Sequence, residues 1–104
     1  MADRILSLIS LATKAGKVIS GEQLCEEAMK NKRAHIVIVA DDCSTRTKER
    51  FKGMGEYHGV DVIFYSNKEE LGKYVGKAFR AVVAICDEGF AKSLRGKLAS
   101  EDNR

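Results

Sequence analysis

A chain of 104 residues, 44% hydrophobic and 32% charged, with no Pro and no Trp, has material for one core and not for two. Its net charge of +3, from 18 Lys and Arg against 15 Asp and Glu, suits a polyanionic partner but is too mild to define one. No apolar run approaches the roughly 20 residues that span a bilayer, and three cysteines with two histidines match neither a disulfide framework nor a zinc signature.

From Asp3, the residues Ile5, Leu8, Ile9 and Ala12 recur at helical spacing, with Leu6 and Leu11 widening the face, until Gly16 ends the element. The apolar run is too short for a signal peptide, contains Ser7 and Ser10 and leads into Lys14 and Lys17, so cytoplasmic residence is expected. A short strand is predicted over 17–19. Ser20-Gly21-Glu22-Gln23 then has the Ser-x-x-Gln pattern of a capping box opening a second helix, with Leu24, Cys25, Ala28 and Met29 inward and Glu26 and Lys30 as an i,i+4 pair. Residues 35–40 form a strand whose four consecutive aliphatics, Ile36 to Val39, imply burial on both faces and a central place in the sheet.

Ser44 caps a third helix on which Phe51, Met54 and His58 share a face. Gly53 and Gly55 weaken it by about 1 kcal/mol each relative to Ala, and Gly59 closes it. A third strand over 60–65 leads to a second capping box, Ser66-Asn67-Lys68-Glu69, and a short helix over 69–75. The fourth strand spans 81–86, and a last helix begins after Asp87-Glu88-Gly89, burying Phe90, Leu94 and Leu98 before a polar tail over 100–104. The order predicts an α/β fold, a three-layer α/β/α sandwich around a mixed four-stranded sheet, as a single domain over 1–104.

Two features suit nucleic acid. A helix start at Gly21 presents unpaired backbone N–H groups and partial positive charge. The loop Gly76-Lys77-Ala78-Phe79-Arg80 sets an aromatic between two cations, so an exposed Phe79 could stack on an unpaired base while Lys77 and Arg80 meet phosphates; the competing reading folds Phe79 into the core. Lys17 beside the helix start, with Lys30, Arg33, Arg46, Lys48, Lys68 and Lys73, reads either as a phosphate track or as a solvated surface. Asp41-Asp42 at a strand end, with Asp87, is a rival metal or phosphoacceptor site. Cys43 near a helix start reads as an acidified thiol or a structural one. Neither histidine neighbours a nucleophile in sequence, so no catalytic residue is assigned.

The segments GKVISG, IVIVADDC, ELGKYVGKAFRAVVAI and DEG follow one another at natural spacing within about residues 4 to 98. In these the chain resembles the kink-turn-binding ribosomal protein family of the L-seven-Ae and L-thirty-e type. The ending VVAICDEGFAKSL and the short length are most similar to its bacterial YlxQ-like members. The resemblance implies that the second helix enters, by its start, the groove beside tandem sheared G·A pairs of a sharply bent RNA. It implies that the loop before the fourth strand packs on a nucleotide extruded at the bend. The matching positions are Gly21, Glu22 and Gln23, with Leu24 and Glu27 beyond them, and Lys77, Ala78, Phe79 and Arg80. Many kink-turn binders carry Asn, then Glu, then Lys three residues on, where this chain has Gln23, Leu24 and Glu27.

The expectation is a non-enzymatic binder of kink-turn-like structured RNA, ribosomal RNA being one candidate, with Lys17, Gly21, Glu22, Gln23, Lys77, Phe79 and Arg80 as its site. No cofactor, metal, membrane or small-molecule substrate is expected. The alternative is a protein-interaction module on the same fold with weakened or lost RNA binding, as Leu24 and Glu27 would allow.

Overall fold

A computed structural model describes residues 3–102, so the last two positions of the expected polar tail lie outside the described residues. The elements are α1 (Arg4–Lys14), β1 (Val18–Ser20), α2 (Glu22–Lys30), β2 (Ile36–Val39), α3 (Thr45–His58), β3 (Asp61–Phe64), α4 (Lys68–Tyr74), β4 (Val82–Ile85) and α5 (Glu88–Asp102). Their order matches the sequence expectation, with three local corrections. Ser20 is the last residue of β1, and Gly21 takes the N-cap of α2 without a side-chain hydrogen bond, so there is no capping box there. Asn67, not Ser66, caps α4, accepting from the Glu70 N–H at 2.8 Å. Residues 100–102 belong to α5 rather than to a tail.

The sheet order is β1-β4-β2-β3, with β2 and β3 parallel and the β1–β4 and β2–β4 pairs antiparallel. All four residues of β2 and of β4 are buried, as a strand paired on both sides and covered on both faces requires. Alternation divides their side chains. Ile36, Ile38, Val83 and Ile85 pack with Ile5, Ile9, Leu71 and Leu94 of α1, α4 and α5. Val37, Val39, Val82 and Ala84 pack with Cys25, Ala28, Met29 and Phe51 of α2 and α3. These are the three layers.

Side-chain caps set two other helix starts, that at Ser44 as expected. Asp3 accepts from the Ile5 and Leu6 N–H groups at 2.9 and 3.0 Å, and the Ser44 hydroxyl accepts from Thr47 N–H at 3.1 Å. Gly55 is more than a weak point in α3: a Cβ there would stand 2.5 Å from Val62 Cγ2 and 2.7 Å from the Val60 carbonyl oxygen. Its lack of a side chain lets α3 close onto β3. The expected inward position of Leu24 is overturned, since it is 56% exposed. Because β1 is a three-residue edge strand, the sheet ends beneath α2, and Leu24 projects past that edge into a groove with Ile19, Ala28 and Arg33.

Candidate nucleic-acid interface

Four connections gather at one end of the sheet. Gly21 N–H donates to the Val82 carbonyl at 2.9 Å, Ala40 N–H to Ala81 at 2.8 Å, Asp41 N–H to Ser66 at 2.8 Å and Arg80 N–H to Lys68 at 3.0 Å. The start of α2 and the Phe79 loop are therefore adjacent, although nearly 60 residues separate them in the chain. The Arg80 side chain reinforces the join, its Nε donating to Ser20 Oγ at 3.1 Å and a terminal nitrogen to the Phe79 carbonyl at 2.8 Å. With Arg80 holding that carbonyl, the Phe79 ring turns outward and is 61% exposed. The reading that folds Phe79 into the core is thereby set aside.

Gly21 has φ +103°, a conformation L side chains rarely adopt, so glycine is what lets β1 turn directly into α2. No side chain caps that turn, which leaves first-turn N–H groups to an outside acceptor. Gln23, Leu24 and Glu27 are exposed along the same start, and Lys77 is exposed on the loop. Gly72 shapes the loop from beneath. A Cβ on it would stand 2.7 Å from the Ala78 carbonyl oxygen and 2.8 Å from Phe79 Cα, so the loop lies directly on α4.

Glu22 is drawn sideways. Its carboxylate pairs with Arg50 of α3 at 3.2 Å, and Arg50 also pairs with Glu26, which Lys30 holds at 3.0 Å from the other side. The hydrogen bond from Lys30, with Arg50 adding to it against a partial desolvation, keeps the Glu26 carboxyl below its usual range. This clamp fixes α2 to α3 and neutralises the acid nearest the helix start. Lys17 lies elsewhere. Its carbonyl accepts from Cys86 N–H at 2.8 Å, at the opposite end of β1, about 13 Å from Gly21 by strand rise. The structure therefore unites Gly21, Glu22 and Gln23 with Lys77, Phe79 and Arg80, and separates Lys17 from them.

Sequence reasoning missed Ser20, Arg50 and Gly72. Ser20 and Arg50 act through tertiary partners, and the position of Gly72 inside a helix pattern was the one available sign of a close backbone approach.

The rival chemistries find no support. Asp42 caps α4 through Lys68 N–H at 2.9 Å, Asp41 stands 4.0 Å from Lys48, and Asp87 caps α5 through Phe90 N–H at the far end of the sheet. Among the described residues no cluster of three or more His, Cys, Asp or Glu could hold a metal ion. The Cys43 thiol, half-buried against the Ala81 carbonyl, is pushed up by desolvation and by Asp42, the reverse of an acidified nucleophile. Cys25 is fully buried and its thiol is pushed up to about 12. No helix is long and apolar enough to cross a membrane among the described residues.

Comparison with known proteins bears on this geometry. The RNA-binding protein YlxQ of Enterococcus faecium is 38% identical over 92 residues, 88% of each chain, and that of Bacillus subtilis is 37% identical over 87 residues, 84% of this chain and 87% of its own. A Bacillus halodurans protein of unknown function superposes with a TM-score of 0.87 at 28% identity, covering 91% of this chain and 96% of that one. Residues 3–95 match the ribosomal protein L7Ae/L30e/S12e/Gadd45 family, and the chain belongs to that family.

Proposed function

We propose that this chain is a non-enzymatic, cytoplasmic RNA-binding protein that recognises kink-turn-like structured RNA, on the ribosome or on a messenger. In this reading the open first turn of α2 meets base edges and phosphates at the bend, and Phe79 stacks on the nucleotide extruded there. The observation that carries the proposal is the joining of an uncapped helix start to an exposed aromatic by the Gly21–Val82 and Ser20–Arg80 hydrogen bonds. The RNA-binding designation of the two YlxQ relatives supports the same class of partner. Lys77 and Arg80 supply charge beside Phe79, while the Arg50 pairing removes the repulsion that Glu22 would otherwise exert.

The test is titration of a kink-turn RNA and of an unkinked duplex of equal length at moderate salt. Specific, salt-weakened binding to the kinked RNA is expected, and Phe79→Ala should cost about 1–3 kcal/mol of it. Equal affinity for the two RNAs overturns the reading. One observation favours a second reading. The 56% exposure of Leu24, beside Glu27, gives α2 an apolar and acidic edge suited to a protein partner, and RNA affinity absent in all arms would point there.

A further inference from the structure

The chain's positive charge is unevenly placed. Residues 4–21 and 71–86 hold six of the eighteen Lys and Arg, namely Arg4, Lys14, Lys17, Lys73, Lys77 and Arg80, and none of the fifteen Asp and Glu. The rest of the chain, with twelve basic and fifteen acidic residues, is therefore net negative by three. A mild overall charge conceals two basic, acid-free segments that the fold brings together, the second following Glu69 and Glu70 in the first turn of α4. α1 packs against α4, and β1 pairs with β4.

Between α1 and α4 lies a groove of about 230 Å³ lined by Ser10, Thr13 and Lys14 on one side and Lys73, Tyr74 and Gly76 on the other. Lys73 has acids three and four residues before it, Glu70 and Glu69, the positions at which a helical ion pair would form. It pairs with neither; its ammonium lies 5.9 Å from the centroid of the Tyr74 ring instead. Among the described residues none of Lys14, Lys17, Lys73 and Lys77 forms an ion pair. Gly76 at the groove is three residues from Phe79, at most about 11 Å of chain. The groove thus meets the interface loop at its first residue, and Lys17 follows Lys14 three residues on, across the turn at Gly16.

We propose that a single-stranded segment of the bound RNA runs on from Phe79 through the α1–α4 groove, its phosphates meeting Lys77, Lys73 and Lys14. The inference rests on the RNA-binding reading above and extends it to the flanking strand. Unpaired cations along a narrow groove with a partly exposed ring beside it suit a flexible single strand, which offers one phosphate per nucleotide and faces for stacking. A direct consequence is that Lys17, too far from Gly21 to assist the helix start, would serve the flank.

The test compares a minimal kink-turn RNA with the same RNA bearing a short single-stranded extension at either 3′ end, by fluorescence anisotropy over a salt series. The extension that follows the groove should steepen the salt dependence of wild-type binding. Lys14→Gln with Lys73→Gln should remove about 1.4 from the slope, about sevenfold in affinity between 200 and 50 mM salt, and leave the minimal RNA's binding unchanged. Lys73→Arg should restore most of its share. If wild type binds the minimal RNA but both extensions leave the slope unaltered, or the double variant behaves as wild type, the track is overturned and the interface stands. Failure of wild type to bind the minimal RNA overturns the interface, and the track with it.

Discussion

Gly72→Ala tests how the Phe79 loop is held. The added Cβ would meet the Ala78 carbonyl oxygen at 2.7 Å, its carbon at 2.8 Å and Phe79 Cα at 2.8 Å, all backbone atoms that no rotamer change can move. To reach an ordinary contact of 3.4 Å the loop must retreat by about 0.7 Å. Such overpacking costs about 1–3 kcal/mol, offset by about 1 kcal/mol from the better helix propensity of Ala, so stability should fall by about 0–2 kcal/mol. The larger effect should be on RNA. With Phe79 displaced, up to the whole stacking contribution of about 1–3 kcal/mol is lost, roughly five- to 150-fold in affinity. Gly53→Ala is the control: nothing stands within 4 Å of its would-be Cβ, so it should stabilise α3 by about 0.5–1 kcal/mol and leave RNA binding alone. Urea unfolding and anisotropy titration of both variants give the comparison. If Gly72→Ala stabilises as much as Gly53→Ala and binds RNA like wild type, the loop is not positioned by its contact with α4.

Glu27→Lys should tighten RNA binding and deepen its salt dependence, since Glu27 is exposed along the α2 start; an unchanged titration would show that this face stays clear of phosphates. Acid should loosen the α2–α3 clamp. Glu26 is held below its usual 4.5, so its contribution to stability is present above that value and lost as pH falls through the folded-state value. Urea midpoints measured toward acid pH should fall less in Glu26→Gln than in wild type. Tyr65 behaves oppositely: burial, then its 2.7 Å hydrogen bond to Asp3, raise its phenol above the ordinary 10.0. That stability is present below pH 10 and lost above it, where the unfolded chain ionises first, so Tyr65→Phe should flatten the alkaline limb of the stability profile.

The order of elements could be read from periodicity because each helix and strand carries a strong local pattern, and Ser44 was a correct cap because no better candidate adjoins it. Both failed capping boxes had a competitor in the next position. Gly21 could adopt φ +103° and Asn67 could accept from Glu70 N–H, and each displaced the serine before it by one residue. Leu24 was misjudged for a tertiary reason, since helical spacing cannot show that β1 is an edge strand ending beneath α2. At the candidate interface, residue types were visible but their meeting was not. The hydrogen bond from Arg80 to Ser20 spans 60 residues, and the Arg50 clamp on Glu22 spans 28. Lys17 shows the converse: four residues from Gly21 in sequence, it is carried to the other end of a strand by the extended backbone between them.

Amide chemical-shift mapping of the protein titrated with a kink-turn RNA tests the central claim most directly. The account predicts the largest perturbations at Gly21 to Gln23 and at Lys77 to Arg80, two separated segments responding together at one end of the sheet. Perturbations confined to α3 and β3, with both of those segments silent, would contradict it.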